Sequence, residues 1–160
     1  MDEFTTRRSQ KHFQAGLDSV ADGKIAEARD NFKAAAEITA SAEALTYWGW
    51  MEHHLGHTGL AIDLCKQAIN QDPEFGNPYN DIGSYLVSQG KLDEAIPWLE
   101  SAIVAPRYEP RQFPHINLGR IYLAKGMPNR ALSELEKAQG LSPDDESIVK
   151  MVSEIRSIIN

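Results

Sequence analysis

The stretch EHHLGH brings three of the chain's five histidines, His53, His54 and His57, within five positions. Imidazole and carboxylate groups bind zinc and act as general acids or bases, so a metal site and a catalytic site are the chemistries to consider. The zinc-protease pattern places its glutamate between two histidines on one helical face. Here Glu52 precedes the histidines, and Gly56 separates His53 from His57. The spacing therefore predicts no metal site and no cofactor.

Catalytic residues are not indicated elsewhere in the chain either. No nucleophile has a base and an orienting acid at a recognisable spacing, and no glycine-rich phosphate loop follows a strand. We expect no enzyme activity. The single cysteine, Cys65, excludes an internal disulfide, and its apolar neighbours predict a core position. A zinc or redox protein built on the histidines and Cys65 is the alternative, and metal analysis of the purified protein tests it.

The charge of the chain narrows the classes of partner. With 16 basic and 23 acidic residues the formal net charge is −7, which argues against nucleic acid because phosphate-binding surfaces need clustered lysine and arginine. No apolar stretch approaches the roughly 18 residues that a membrane span requires. The opening MDEFTTRRSQKHF shows neither a secretory signal nor a lipoprotein cysteine, so we expect a soluble, cytoplasmic protein.

A repeat of 33 to 36 residues organises the sequence. Two series of glycines recur at the same intervals of 33, 34 and 36, namely Gly16, Gly49, Gly83 and Gly119, and Gly23, Gly56, Gly90 and Gly126. Alanines follow in the same frame at Ala28, Ala61, Ala95 and Ala131, and at Ala35, Ala68, Ala102 and Ala138. Self-similarity at this period is the signature of a repeat architecture, so every other residue is interpreted within four units.

Each unit has the pattern of two amphipathic helices joined by a glycine turn. In YNDIGSYLVSQGKLDEAIPWLESAI, apolar residues recur at three-to-four spacing on both sides of Gly90. The first glycine of a unit lies inside a helix, where it costs about 1 kcal/mol relative to alanine, so its recurrence predicts close approach of a neighbouring helix. The second glycine predicts a left-handed turn at the helix end.

These features resemble the tetratricopeptide repeat family from about residue 8 to residue 143. The period, the glycines, the alanines, and Pro73 and Pro143 all agree, while the consensus tryptophan is replaced by His12, Leu45, Tyr79 and His115. The resemblance implies one all-α domain over residues 1–160, a right-handed α-solenoid of four helix-turn-helix units. The units cover about 9–40, 42–73, 76–109 and 112–143, and a capping helix covers about 144–159. The Asn-rich third unit and the connection APRYEPRQFP also resemble the tetratricopeptide proteins of type IV pilus assembly.

The resemblance implies that the first helices of the units line a concave groove that binds peptides. Residue by residue, the groove positions are Phe13, Leu17, Tyr47, Trp50, His53, Asn77, Asn80, Asp81, Ser84, Phe113, Asn117 and Arg120. Flanking positions are Gln10, Val20, Glu43, Thr46, His54, Val87 and Ile116. Asparagine can donate to and accept from an extended backbone, aromatic side chains supply contact area, and arginine can fork onto a carboxylate. Packing of the aromatics between units and helix capping by the asparagines are the alternative roles.

One established function of the family is not supported by these positions. The clamp for the acidic tails of chaperones needs lysine, asparagine, asparagine, lysine and arginine on three successive units. This chain has Phe13, Leu17, Tyr47, Asn77 and Asp81 there. The sequence therefore predicts a different ligand.

The predicted function is a non-catalytic interaction module that binds a peptide segment or partner protein in the groove, as an adaptor or assembly scaffold. The alternative is self-assembly into a homo-oligomer through the C-terminal helix or the ends of the array. That helix carries Ile155 and Ile158 on a broad apolar stripe. Substituting both with aspartate would separate loss of self-association from loss of partner binding.

Overall fold

The protein consists of nine α-helices, described over residues 1–160 by a computed structural model. The helices are α1 (Glu3–Ala21), α2 (Ile25–Ile38), α3 (Ala42–His54), α4 (Thr58–Gln71), α5 (Asn77–Ser88), α6 (Leu92–Val104), α7 (Gln112–Ala124), α8 (Pro128–Leu141) and α9 (Glu146–Ile159). The only β-type pairing is an isolated parallel bridge between Phe75 and Arg107. None of the helices combines the length and apolar character needed to cross a membrane.

The helices pack as a row of hairpins. The pairs α1 and α2, α3 and α4, α5 and α6, and α7 and α8 each form one hairpin, and the second helix of each pair packs on the next element of the row. The first helices also contact one another directly, α3 with α5 and α5 with α7. The predicted all-α solenoid is thereby confirmed.

The four turn glycines adopt the conformation that the repeat predicts. Their φ angles lie between 72° and 89°, a left-handed conformation that a side chain disfavours, at Gly23, Gly56, Gly90 and Gly126. The amide that follows each glycine donates to the carbonyl five residues earlier, as His57 N does to Glu52 O over 2.8 Å. This closure is the Schellman motif, and it reverses the chain after every first helix.

The glycines inside the first helices allow close packing within a hairpin. A Cβ atom added at Gly83 would lie 2.5 Å from Cδ2 of Leu99, a residue with no solvent exposure. The repeated alanines of the second helices are likewise fully buried, including Ala28, Ala61, Ala95 and Ala131. Small side chains at these positions therefore set the distance between paired helices.

The C-terminal helix α9 covers the end of the array. Its residues Ile148, Val152 and Ile155 are buried in the same core as α7 and α8, whereas Ile158 remains 64% exposed. Ile155 is thus a core residue and is not available to a self-association surface, contrary to the prediction from its helical spacing. Substitution of Ile155 by aspartate would disturb folding, so self-association through α9 is tested with a substitution at Ile158 without one at Ile155.

The connection between α6 and α7, residues 105–111, folds back against the start of α5. Gly76 N donates to Arg107 O over 2.7 Å, and Asn77 Nδ2 donates to Glu109 O over 3.3 Å. Tyr108 is buried beside Gly76, where an added Cβ would lie 2.5 Å from Cβ of Tyr108. The connection is therefore an ordered part of the inner surface.

Candidate functional site

A cavity of about 220 Å³ opens at the centre of the inner surface, and we call it the central cavity. Its lining comes from α3, α5, α7 and the 105–111 connection, namely Thr46, Tyr47, Trp50, Asn77, Asn80, Asp81, Tyr108, Pro110 and Phe113. Residues three and four apart share one face of a helix, which is why Asn77, Asn80 and Asp81 enter the same cavity from α5.

A second cavity of about 270 Å³, here the distal cavity, adjoins the first toward the C-terminus. It is lined by Asn80, Ser84, Phe113, Ile116, Asn117, Arg120, Asp145, Ser147 and Met151. Asn80 and Phe113 belong to both linings, so the two cavities are neighbours on the inner surface and together extend across units two to four and the capping helix. Arg120 is exposed at the distal end.

Asp81 is the electrostatic centre of the central cavity. Burial alone raises the pKa of its carboxyl to about 7, with no hydrogen bond contributing. Burial and then the charge of Asp81 raise the pKa of three neighbouring groups, the Tyr85 and Tyr108 phenols and the Cys65 thiol. The buried Tyr85 hydroxyl has no hydrogen-bond partner in the chain. Asp81, which lines the cavity, and Tyr85, which does not, therefore both have bonding capacity that the protein leaves unused.

The structure brings nine of the twelve predicted groove residues to these two cavities. They are Tyr47, Trp50, Asn77, Asn80, Asp81, Ser84, Phe113, Asn117 and Arg120. Phe13 lines a cavity of about 460 Å³ between α1 and α3, and also a cavity of about 530 Å³ that shares Tyr47, Asn77 and Tyr108 with the central cavity. Leu17 packs against the cluster of Ala28, Phe32 and Met51, and lines neither the central nor the distal cavity.

Tyr47 has a double role, because it lines the central cavity and also packs between units one and two. Its ring centroid lies 5.2 Å from that of Phe13, 5.1 Å from that of Phe32 and 6.0 Å from that of Trp50. Such aromatic clusters fix ring orientation, so the wall formed by Tyr47 and Trp50 is held rigidly by the repeat packing.

His53 lies on the edge of the groove in a packed position. Its ring stacks on Tyr85 with centroids 4.4 Å apart, and its Nδ1 lies 3.1 Å from the hydroxyl oxygen of Thr58. Burial, followed by the charge of His54, lowers the pKa of His53. The side chain lines neither the central nor the distal cavity, so its position favours packing over ligand contact.

Glu52, the first residue of the histidine-rich stretch, has a structural role in which His57 takes part. Its buried carboxylate accepts hydrogen bonds from Arg29 Nη1 at 3.2 Å and Trp48 Nε1 at 3.2 Å, and it lies 2.7 Å from His57 Nδ1. Burial opposes ionisation of Glu52, but the three partners outweigh it and leave the pKa of the carboxyl lowered. The stretch therefore joins α2, α3 and the start of α4.

Sequence reasoning missed the contribution of Tyr108, Pro110, Asp145, Ser147 and Met151 to the groove. The connection APRYEPRQFP was singled out by its likeness to type IV pilus assembly proteins, and nothing local in it indicated a return toward α5. Asp145 caps α9 by accepting from the amides of Ser147 and Ile148. Its acidic side chain was the available signal for a helix start, and the packing of α9 on α8 brings it to the groove.

Comparison with known proteins supports this interpretation of the repeats. The sequence model of the tetratricopeptide repeat family matches residues 77–103 and 115–145. The chain contains tetratricopeptide repeats (TPRs). The matched segments cover most of units three and four, which supply α5 to α8 and most of the groove-lining residues. No curated protein matches the sequence.

Several solved TPR structures are similar to this chain in fold. PilF of Pseudomonas aeruginosa has 23% identity and a TM-score of 0.87, with 96% of this chain and 69% of that chain covered. PilW, a type IV pilus biogenesis factor, has 15% identity and a TM-score of 0.84, with 99% and 71% covered. YrrB, a TPR protein with an unusual peptide-binding site, has 22% identity and a TM-score of 0.69, with 89% and 73% covered. At these identities the likeness establishes the fold.

The TPR fold is a protein–protein interaction module, and the solenoid provides an extended concave surface for such contacts. In this chain the surface is aromatic and amide-rich at its centre, with Asp81 at one position and Arg120 at another. The arrangement can therefore provide apolar contact, hydrogen bonds to a backbone and charge recognition of either sign.

Proposed function

We propose that the protein is a non-catalytic adaptor or assembly scaffold that binds a peptide segment of a partner protein in its concave groove. The observation that carries the proposal is that the central and distal cavities adjoin each other, with Asn80 and Phe113 lining both. A ligand that spans both cavities would contact three successive units, which is the geometry of an extended segment rather than of a compact small molecule.

The asparagines support binding of an extended backbone. Asn117 Nδ2 donates to Asn80 Oδ1 over 3.0 Å, which fixes both side chains. The side-chain nitrogen of Asn80 and the side-chain oxygen of Asn117 remain, one a donor and the other an acceptor. A preorganised donor and acceptor pair can meet a peptide C=O and N–H without further ordering of the protein.

The aromatic wall and Arg120 support the same proposal. Tyr47, Trp50 and Phe113 are large, have few rotatable bonds and present partly exposed faces to the cavity, features that are typical of energetic anchors at interfaces. Arg120 is exposed and takes part in none of the ion pairs of the chain. It is therefore free to bind a carboxylate of the ligand.

Affinity capture with mass spectrometry tests the proposal. The groove variant Trp50→Ala/Arg120→Ala is compared with wild type and with a control variant, Lys66→Ala/Gln67→Ala, on the exposed side of the outer helix α4. Circular dichroism establishes that each variant is folded. We expect a partner that wild type and the control retain and the groove variant loses. Identical partners for all three proteins would contradict groove binding.

Self-association through α9 is a second candidate, favoured by one observation. Ile158 is 64% exposed, and Val149 and Ile159 are exposed at 42% and 37% on the same helix. Sedimentation of wild type and Ile158→Asp distinguishes the cases. A concentration-dependent dimer that the substitution abolishes would support assembly, whereas a monomer in both would contradict it.

A further inference from the structure

The central cavity contains a carboxyl group that the protein itself does not neutralise. Asp81 lines the cavity from α5, and its side chain takes part in none of the hydrogen bonds or ion pairs of the chain. Buried or half-buried carboxylates ordinarily have a cation or several donors beside them, because desolvation of an uncompensated charge is unfavourable. A cationic group supplied by a ligand would therefore complement this carboxyl group.

A second unsatisfied group lies beside the first. The Tyr85 hydroxyl, one helical turn from Asp81, is buried and has no hydrogen-bond partner. After burial, the charge of Asp81 raises the pKa of Tyr85 of α5, of Tyr108 of the 105–111 connection and of Cys65 of α4. None of these neighbours carries a positive charge.

The walls of the central cavity suit a long aliphatic side chain. The cavity is lined by four aromatic residues, Tyr47, Trp50, Tyr108 and Phe113. Aromatic faces pack well against methylene groups and attract a cation by their quadrupole. The Thr46 hydroxyl donates to Ala42 O over 2.7 Å, so its oxygen is available as an acceptor in the same cavity. The cavity thus combines apolar walls with a small acidic acceptor set.

We infer that the central cavity binds a lysine side chain of the peptide, with its methylenes against the aromatic walls and its ammonium on the Asp81 carboxylate. This inference rests on the proposed function and names the chemistry that the groove recognises. Charge complementarity supports it on a larger scale, because a chain with a formal net charge of −7 attracts cationic segments.

Lysine fits the acceptor set better than arginine does. An ammonium group has three donors, which the two Asp81 oxygens and the Thr46 hydroxyl can accept. A guanidinium group has five donors in a rigid planar fork, so it needs more acceptors, placed in one plane, than an ammonium group does.

Chemical-shift titration of the ¹⁵N-labelled protein tests the inference. The probe is Nα-acetyl-lysine-N-methylamide, and the matched probes are the norleucine and arginine counterparts. We compare wild type with Asp81→Asn, which keeps the side-chain shape, and with Asp63→Asn, which removes an exposed carboxylate on the outer helix α4. The dispersion of each spectrum establishes folding before the titration.

We expect saturable shifts of amides in α3, α5 and residues 105–111 with the lysine probe, in wild type and Asp63→Asn. Asp81→Asn should bind it at least tenfold more weakly. Wild type should bind the norleucine probe at least tenfold more weakly than the lysine probe, and the arginine probe more weakly than the lysine probe. Equal binding of lysine and norleucine, or of wild type and Asp81→Asn, would overturn the inference, as would no binding of the lysine probe.

Failure of the affinity capture and failure of the lysine titration can be told apart. If the groove variant loses a partner but the lysine probe does not bind, peptide binding stands and the lysine pocket is wrong. If the lysine probe binds at Asp81 but the groove variant retains every partner, both the groove function and the assignment to a bound peptide are wrong.

Discussion

Asn117 and Asn80 join the first helices of units three and four through a side-chain hydrogen bond of 3.0 Å from Asn117 Nδ2 to Asn80 Oδ1. Asn80 is only 8% exposed, so its amide depends on this donor. Asn80 lines both cavities and Asn117 lines the distal one, so the bond links packing between units to the shape of the groove.

The asparagine pair should contribute to stability as well as to ligand binding. We expect Asn117→Ala to lower the free energy of unfolding by about 1 kcal/mol, because a buried acceptor loses its donor. Urea unfolding of Asn80→Ala, Asn117→Ala and the double variant measures the coupling between them, which should be about 0.5–1.5 kcal/mol. Strictly additive effects would show that the bond carries no energy.

Glu52 should be among the most sensitive polar positions of the chain. Substitution by alanine leaves Arg29, Trp48 and His57 without their common acceptor, so we expect a loss of about 2–4 kcal/mol in urea unfolding at neutral pH. Because the pKa of Glu52 is lowered, its contribution is present above about pH 4 and is lost as the pH falls further.

The matched control for Glu52 is Glu27→Ala on α2. Glu27 lies 3.9 Å from Lys24, and both side chains are mostly exposed, so the change should stay within about 0.5 kcal/mol. Equal losses for Glu27→Ala and Glu52→Ala would contradict the role of the buried cluster.

Asp81 should make the stability of the ligand-free protein depend on pH. Its pKa of about 7 in the folded state lies above the unfolded value of about 3.9, so the folded state holds the proton more tightly. The free energy of unfolding should therefore fall as the pH rises from about 4 to about 7. The other titratable groups facing Asp81 are Cys65, Tyr85 and Tyr108, and burial raises their pKa values, so they remain neutral across this range.

Asp81→Asn should remove this dependence. At pH 8 the variant should be more stable than wild type by about 1–3 kcal/mol, less than the full shift implies because the cavity mouth admits water. Near pH 4 the two proteins should unfold at similar urea concentrations. If wild type were more stable than Asp81→Asn at pH 8, the Asp81 carboxylate would be stabilised in the ligand-free protein, and the prediction would be wrong.

Gly83 tests the close packing within a hairpin. An alanine Cβ would meet Cγ of Leu99 at 2.6 Å, so we expect Gly83→Ala to lose about 1–3 kcal/mol despite its better helix propensity. The control is Gly140→Ala on α8, where a Cβ meets nothing within 4 Å. Helix propensity should leave that variant unchanged or up to about 1 kcal/mol more stable. Thermal unfolding compares the two, and a stabilised Gly83→Ala would contradict the packing.

Features that recur within one unit were predictable from the sequence. The turn at Gly56 and the close contact at Gly83 each depend on residues within about 16 positions, and the repeat shows them several times over. The wall residues Tyr47 and Trp50 follow from the same frame, because their helix face is fixed by the position of Gly49.

Features that depend on distant pairs could not be predicted. The carboxylate of Glu52 accepts from Arg29, 23 residues away, and the 105–111 connection reaches Asn77 across 32 residues. Such contacts follow from the packing of one unit on the next, which periodicity does not specify. For the same reason the stacking of His53 on Tyr85 was not apparent, although both residues lie in well-predicted helices.

The most direct measurement is to map a bound peptide on the protein by NMR. Peptides of twelve residues selected from a random displayed library against wild type would be titrated into ¹⁵N-labelled protein. Shifts confined to the amides of α3, α5, α7 and residues 105–111, and lost in Trp50→Ala/Arg120→Ala, are the expected result. Shifts on the outer helices α4, α6 and α8, or no enriched peptide, would contradict recognition in the concave groove.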